Sequence, residues 1–446
     1  MSLFDSNSPD FYQVFAMIAE ISPRMPVLVV GAGPAGATAA RALALAGVPV
    51  RLVDRAAFPR NKPCGGGISL RVLTRFPYLE RALASIATHS VARLYLEGPD
   101  GHATVVESDG PAALMIRRVE FDALLVSLAQ DAGADLVTGV DIVNASEDRD
   151  AVRLTTRDGR RIEAPVVIAA DGVHSVVARR LGMNRGWPDS AVALDMMEET
   201  PRSALRDLDP STLWVAYGFN PAGSQAVKGN KAAEGYAYIF PKRDHVNIGI
   251  GYVLSHYRTA VDAAPYELQR TFVSALRDRG IVAGESVRKN FTPFLIPVGG
   301  PLRRPGRGRV LLAGDAGGFV NGFTAEGIYY AMVSGELAAH AVGGAPDVGR
   351  LAGRYRRACD YEIGAELRDS VLLQRYLFAD RRRIARVIDG AHREPEVTRS
   401  ILAYAAGRGT YRELRRRLLA GAPLLAGRLV WERFRKNFVV RRARPS

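Results

Sequence analysis

Three glycine-bearing turns, each at the end of a short apolar run, limit what this chain can fold into. Pro26–Val30 leads into Gly31, Gly33 and Gly36; Val166–Ala170 leads into Asp171–Gly172; Arg309–Ala313 leads into Gly314, Asp315 and Gly317. Short apolar runs of this kind form parallel strands buried on both faces, so each turn sits at a strand end. In the first segment Gly31 allows a tight turn, Gly33 admits a pyrophosphate against the backbone, and Gly36 lets the following helix pack on the strand, with Ala35 counted among the cofactor-binding residues. The helix 37–46 stops at Gly47, and the strand 48–53 ends at Asp54. An acid roughly 20 residues beyond the glycines is placed to accept hydrogen bonds from adenosine ribose hydroxyls.

The other two turns extend the argument to one ligand. Asp315 at its strand end can bind ribityl or ribose hydroxyls, while Gly317 and Gly318 admit a pyrophosphate. The following Gly322–Gly327 stretch opens a helix at Ile328 whose N-terminal N–H groups can stabilise negative charge on a reduced flavin. Asp171–Gly172 is the weakest of the three, since such pairs often make plain turns. Taken together, three segments of different type in this order point to a chain that returns repeatedly to one FAD. The loop Lys62–Gly67 carries Cys64 between Pro63 and Gly65–Gly66, the setting of a backbone close to a ligand; Arg55, Arg60 and Lys62 nearby can favour a thiolate or bind phosphate.

Composition narrows the class. A chain of 446 residues with 48% hydrophobic residues suits a globular protein of two or three structural units. No apolar run approaches the ~18–20 residues of a membrane span. Two cysteines without metal-type spacing, Cys64 and Cys359, imply a reducing cytoplasm and no metal site. The N-terminus lacks the pattern of a signal peptide; residues 1–24 read as a disordered extension or as the product of a start codon upstream of Met25. Residues 350–446 hold 24 Lys and Arg against 10 Asp and Glu, which accounts for the whole net charge of +14. Arg415, Arg416 and Arg417 interleave with Leu414, Leu418 and Leu419, and further on Trp431 and Phe434 accompany Arg433 and Arg435. That pattern fits a helical face on the inner, anionic side of a membrane, or an Arg-rich face packed on the protein by its apolar side. No DNA- or RNA-reading motif accompanies the charge, so no nucleic-acid partner is expected.

The organisation is α/β, α+β overall. A Rossmann-like FAD-binding domain is expected from residues 25–89, 119–185 and 296–345. An inserted antiparallel substrate-binding sheet takes 90–118 and 186–295, and a basic helical region takes 346–446. Tyr236–Phe240 and Val246–Ile250 alternate as strands of that sheet.

These residues carry a resemblance. The three turns and the Arg118–Val119–Glu120–Phe121–Asp122 helix start resemble FAD-dependent oxidoreductases with the para-hydroxybenzoate hydroxylase type of fold. Within that group the chain resembles the geranylgeranyl reductase family, through Lys62–Pro63–Cys64–Gly65–Gly66–Gly67, Gly235–Pro241, and Gly314–Gly317 continuing to Gly322, Glu326, Gly327 and Ile328. Family members generally show Tyr-x-Trp-x-Phe-Pro in the second stretch with a proline three residues earlier; here Tyr238 and Ala233 take the Trp and Pro positions. The resemblance implies that Cys64 meets the isoalloxazine, that Arg118 serves the cofactor, and that Tyr236, Tyr238, Phe240 and Pro241 line a prenyl cavity.

The expected reaction is saturation of C=C bonds in a polyprenyl chain carried on a diphosphate, lipid or quinone, with NAD(P)H or a reduced electron carrier as donor. Hydride added to an isolated trisubstituted olefin would leave an unstabilised carbanion, so a proton must arrive first or with it. Cys64, Tyr236, Tyr238 or a held water are the candidate donors, and the aromatic faces can stabilise developing positive charge. Two other readings compete: an aromatic or polyketide monooxygenase or halogenase on the same fold, and a prenyl-lipid carrier without redox turnover. Halogenases usually carry Trp-x-Trp-x-Ile-Pro, which is absent here.

Overall fold

The computed structural model describes residues 25–204, 209–219, 234–261, 263–344, 347–393, 400, 401, 403, 404 and 407–417. The extension 1–24, Ala233 and the tail beyond 417, with Trp431 and its neighbouring arginines, lie outside the described residues.

The apolar runs form a six-stranded sheet ordered Gly306–Arg307, Val310–Leu312, Val167–Ala169, Val27–Val30, Val50–Asp54, Asp135–Thr138. All neighbours are parallel except the antiparallel edge pair Gly306–Arg307 with Val310–Leu312. The strands that precede the three glycine turns are therefore adjacent and point the same way, so all three turns emerge along one edge, where such sheets bind nucleotides. Val27, Val29, Leu52, Ile168 and Leu311 are fully buried under helices on one face. Each such side chain contributes roughly 1.5–3 kcal/mol on leaving water. Gly31 takes φ +95°, and a Cβ on Gly36 would fall 1.8 Å from the Gly31 carbonyl oxygen, so only glycine lets the helix Pro34–Leu45 start this close to its strand.

A second sheet of seven strands runs Phe291–Ile296, Ala193–Pro201, His245–Val253, Gly235–Pro241, Thr212–Tyr217, Arg93–Glu97, Ala103–Glu107. It is antiparallel apart from the parallel pairing of Thr212–Tyr217 with Arg93–Glu97. Strand alternation sorts its residues. Met196, Trp214, Ile239, Ile248 and Ile250 pack with Leu268, Phe272 and Leu276 of the helix Pro265–Asp278. Asp195, Tyr236, Tyr238, Phe240, Asn247, Gly249 and Gly251 alternate to the opposite face, toward the first sheet.

The helix Arg118–Asp131 and two three-stranded sheets are among the other elements, and the helices Ile328–Gly343, Val348–Cys359, Ala365–Phe378 and Arg381–Arg393 follow the last strand. Buried Arg71 binds the first and third of these to the Lys62–Gly67 side: it reaches Glu326 at 3.1 Å, Glu366 at 2.9 Å and the Tyr330 hydroxyl at 2.6 Å.

Candidate active site

The helix Pro34–Leu45 begins after Gly33 with no side chain capping its first turn. A Cβ on Gly33 would meet only the Arg60 guanidinium, at 3.6 Å. This open, uncapped N-terminus beside a guanidinium is an anion site. Ala35 offers it an N–H alone, because its side chain is buried where Gly314 and Gly335 close in. Asp54 accepts the N–H groups of Ala32 at 2.7 Å and Ala56 at 2.9 Å, which fixes its carboxylate and leaves lone pairs over for hydroxyl donors. Arg55 is exposed at the edge of this site.

Asp171 is placed differently. One of its oxygens accepts Val176 N–H at 2.8 Å and Val177 N–H at 3.2 Å, anchoring the helix Val176–Arg180, and burial pushes its carboxyl up. The Ala170 carbonyl and Asp171 backbone abut Gly31, so this turn contributes its main chain to the edge; Gly172 takes φ +82°.

At the third turn the glycines answer to packing inside the protein. A Cβ on Gly317 would strike the Phe319 ring at 2.5 Å, and one on Gly318 the Gly300 carbonyl at 2.5 Å. Packing alone therefore requires glycine at both positions. Gly322 is likewise enclosed, its N–H held by Ser370 Oγ at 2.8 Å. The Asp315 carboxylate, in contrast, has no hydrogen-bond donor among the described residues. Burial pushes its carboxyl up, while Lys62 and Arg118 pull it down. The 16-residue helix Ile328–Gly343 starts beside it uncapped, with Gly327 packed near the carboxylate. An unpartnered carboxylate, two uncapped helix starts and an open Gly33 are the features a flavin dinucleotide needs, and the residues present fit it.

The loop Lys62–Gly67 spans from this edge to the second sheet. The Cys64 carbonyl accepts Asn247 Nδ2 at 3.1 Å, and Cys64 Sγ lies 3.4 Å from the Gly66 nitrogen. Gly65 packs so tightly on Phe240 that a Cβ would fall 2.7 Å from its ring; Gly66 takes φ +76° beside Ile116 and Lys242. Arg118 adjoins Cys64 and is clamped by Asp122 through bonds of 2.7 and 2.9 Å. Asp122 also holds Arg60 at 3.1 Å, so one buried carboxylate orients both guanidinium groups. Burial, then Arg118, push the Lys62 ammonium down.

Beyond the loop a cleft opens between the second sheet and the helix Ala365–Phe378. Tyr236, Tyr252, Val253, Ile296, Val298, Phe323 and Phe378 give it largely apolar walls, and Asp195 is part of its lining. Of the four residues expected there, only Tyr236 lines it; its hydroxyl donates to the Thr324 carbonyl at 2.8 Å. Tyr238 stands behind, donating to Asp195 at 2.9 Å, and Phe240 covers Gly65. Pro241 alternates to the other face of the strand and does not line this cleft. Asp195, Asn247 and Phe378 are the residues the sequence reading left out. A lone acid in the apolar strand Ala193–Met197 was the available signal for Asp195.

Residues 24–334 match the family described as "FAD binding domain". A menaquinone reductase of Mycobacterium tuberculosis is 33% identical over 324 residues, 70% of this chain and 75% of its own. A chloroplastic geranylgeranyl diphosphate reductase of Oryza sativa subsp. japonica is 30% identical over 351 residues, 73% of this chain and 69% of its own. A geranylgeranyl bacteriochlorophyll reductase-like structure from Thermoplasma acidophilum superposes with TM-score 0.71 at 20% identity, covering 89% of this chain and 98% of that one. That last likeness speaks for the fold, and the sequence matches for descent. The chain belongs to the geranylgeranyl reductase family of FAD-dependent oxidoreductases.

Proposed function

We propose that this enzyme saturates C=C bonds of a polyprenyl chain carried on a diphosphate, lipid or quinone. The observation that carries the reading is the cleft: an apolar, aromatic-walled space between the second sheet and the helix Ala365–Phe378, suited to a hydrocarbon chain. The relatives are named for menaquinone and geranylgeranyl diphosphate, which share a prenyl chain and differ in head group. When bound, FAD supplies a hydride equivalent. This chain's own residues do the rest.

In this reading the N–H groups after Gly33, with Arg60, hold the pyrophosphate; Asp54 and Asp315 hold ribose and ribityl hydroxyls; the start of the helix Ile328–Gly343 faces the flavin edge. The Cys64 loop seals the cofactor side, and Tyr236 with Phe323 and Phe378 excludes water from the olefin. NAD(P)H or a reduced electron carrier is the donor, and the basic C-terminal region makes peripheral contact with an anionic, cytoplasmic membrane face. The test is anaerobic: reduce the protein with dithionite, add prenyl diphosphates, prenylated lipids or menaquinones, and look by mass spectrometry for gains of two hydrogens. No such gain, with hydroxylated product in a parallel incubation under air, would overturn the reading.

A further inference from the structure

Olefin reduction by this route needs an acid at the cleft, and the tyrosines are poorly placed for it. The Tyr236 and Tyr238 protons are both donated to protein acceptors, and burial, with the nearby Asp195, holds both phenols well above their usual range. Asp195 is placed better. It lies between Leu194 and Met196 in the strand Ala193–Pro201, and only 6% of its surface is exposed. Its neighbours across the sheet are Gly251 on one side and Phe294 on the other.

Two glycines make the arrangement. A Cβ on Gly249 would fall 2.4 Å from the Tyr238 hydroxyl, and one on Gly251 3.3 Å from Asp195 Oδ1. Because both lack side chains, Tyr238 leans across the intervening strand His245–Val253 and donates to Asp195 Oδ2 at 2.9 Å. Asp195 Oδ1 is buried with no hydrogen-bond partner, and Asp195 lines the cleft together with Gly251, Gly235 and Tyr236. A buried carboxyl oxygen with nothing to accept from is well suited to carry a proton.

We propose that Asp195, positioned by Tyr238 across the Gly249–Gly251 trough, is the acid that protonates the double bond; this rests on the olefin-reductase reading. The proton leaves Asp195 for the less substituted carbon, and the π pair becomes the new C–H bond. The adjacent tertiary carbon takes the hydride that reduced flavin supplies. The products are a saturated bond, flavin oxidised by two electrons, and an Asp195 carboxylate that regains its proton from solvent.

The groups facing Asp195 are Tyr236 and Tyr238 from the strand Gly235–Pro241, one strand further across the sheet, Lys62 from the glycine loop, Cys64 beyond the tyrosines and Glu234 at the cleft wall; the adjoining strands present Gly249, Gly251 and Phe294. Burial raises the Asp195 carboxyl to about 7 against the opposing pull of Tyr238 and Lys62. It is therefore part protonated at neutral pH, where a general acid works best.

The test uses the FAD-loaded full-length protein and two variants. Infrared spectra of wild type without substrate should show the carbonyl stretch of a protonated carboxyl group that fades as pH rises through about 7 and is missing in Asp195→Asn. In Asp195→Asn, dithionite reduction of the flavin should proceed as in wild type, while its reoxidation by prenyl substrate should slow by ~10²–10⁴-fold. Tyr238→Phe keeps the acid and removes a bond that favours its charged form. Turnover should persist there with the pH limb moved upward, whereas loss at every pH would make Tyr238 the donor and overturn the proposal. Absence of an Asp195-dependent band, or wild-type reoxidation in Asp195→Asn, would also overturn it. If wild type reduces no prenyl substrate, the functional reading fails separately, and the infrared band still decides whether Asp195 holds a proton near neutral pH; its absence would overturn the proposal on its own.

Discussion

Asp195 and Cys64 make contrasting expectations at the scale of one side chain. If Asp195 delivers the proton, Cys64→Ala should leave flavin binding and reduction intact and slow reoxidation by prenyl substrate less than Asp195→Asn does. Stopped-flow comparison of the two variants decides it, and a larger loss in Cys64→Ala would return the donor role to the thiol. Asp195 also has a stability signature. Its folded carboxyl is raised to about 7 from an ordinary 3.8. The folded state therefore binds the proton more tightly than the unfolded chain does. The stabilisation from protonation is fully present below the ordinary value and is lost as pH rises through about 7. Over that span it amounts to at most roughly 4 kcal/mol. Between about pH 4 and 7 wild type should therefore lose stability with rising pH relative to Asp195→Asn. Parallel denaturation curves across that range would show that Asp195 titrates normally.

The strands and helices explain what could be read from the sequence and what could not. The Gly31–Gly36 turn, Asp54 and the strand before Gly314 were legible because each is a local strand–turn unit whose geometry is set within a few residues. The Asp195–Tyr238 bond was not, because it joins strands 43 residues apart. It also depends on two glycines of a third strand, and cross-sheet register is not written in any one segment. Gly317 and Gly318 carry a related lesson: the pattern marked them as small, and close packing on Phe319 and Gly300 is a further reason that no local segment shows. Two expectations follow. Gly33→Val with Asp315→Ala should lose flavin, because the first fills the open space before the helix and the second removes a hydroxyl partner; absorbance per chain after gel filtration measures it, and full occupancy would refute the cofactor placement. Gly249→Ala should destabilise by about 1–3 kcal/mol, since the added methyl collides with the Tyr238 ring, and thermal unfolding at pH 6 and 8 would register the loss.

At the scale of the whole molecule the cleft and the basic C-terminal region meet on one helix. Gln374 and Phe378 of Ala365–Phe378 line the cleft, while Leu372 and Tyr376 on its outer side are 64% and 57% exposed. Arg383 of the next helix stacks on Tyr376 at 4.3 Å, and Arg375, Arg382 and Arg386 are exposed nearby. Exposed apolar side chains ringed by guanidinium groups fit an anionic lipid surface, and a helix with one face there and the other in the cleft would give a lipid-borne chain a short way in. No described helix is long and apolar enough to cross a membrane, so such contact would be peripheral. Arg415 is already paired with Asp369 at 2.7 Å, which makes Arg416 and Arg417 the better choices for charge reversal. Arg416→Glu with Arg417→Glu should weaken co-sedimentation with anionic vesicles, and raised salt should do the same to wild type because surface charge pairs are screened within about 10 Å. Leu372→Glu with Tyr376→Glu should weaken it further and persistently at low salt, since these residues act by apolar insertion. Binding that ignores both salt and these substitutions would assign the arginines to the protein's own packing and leave the substrate to enter from solution.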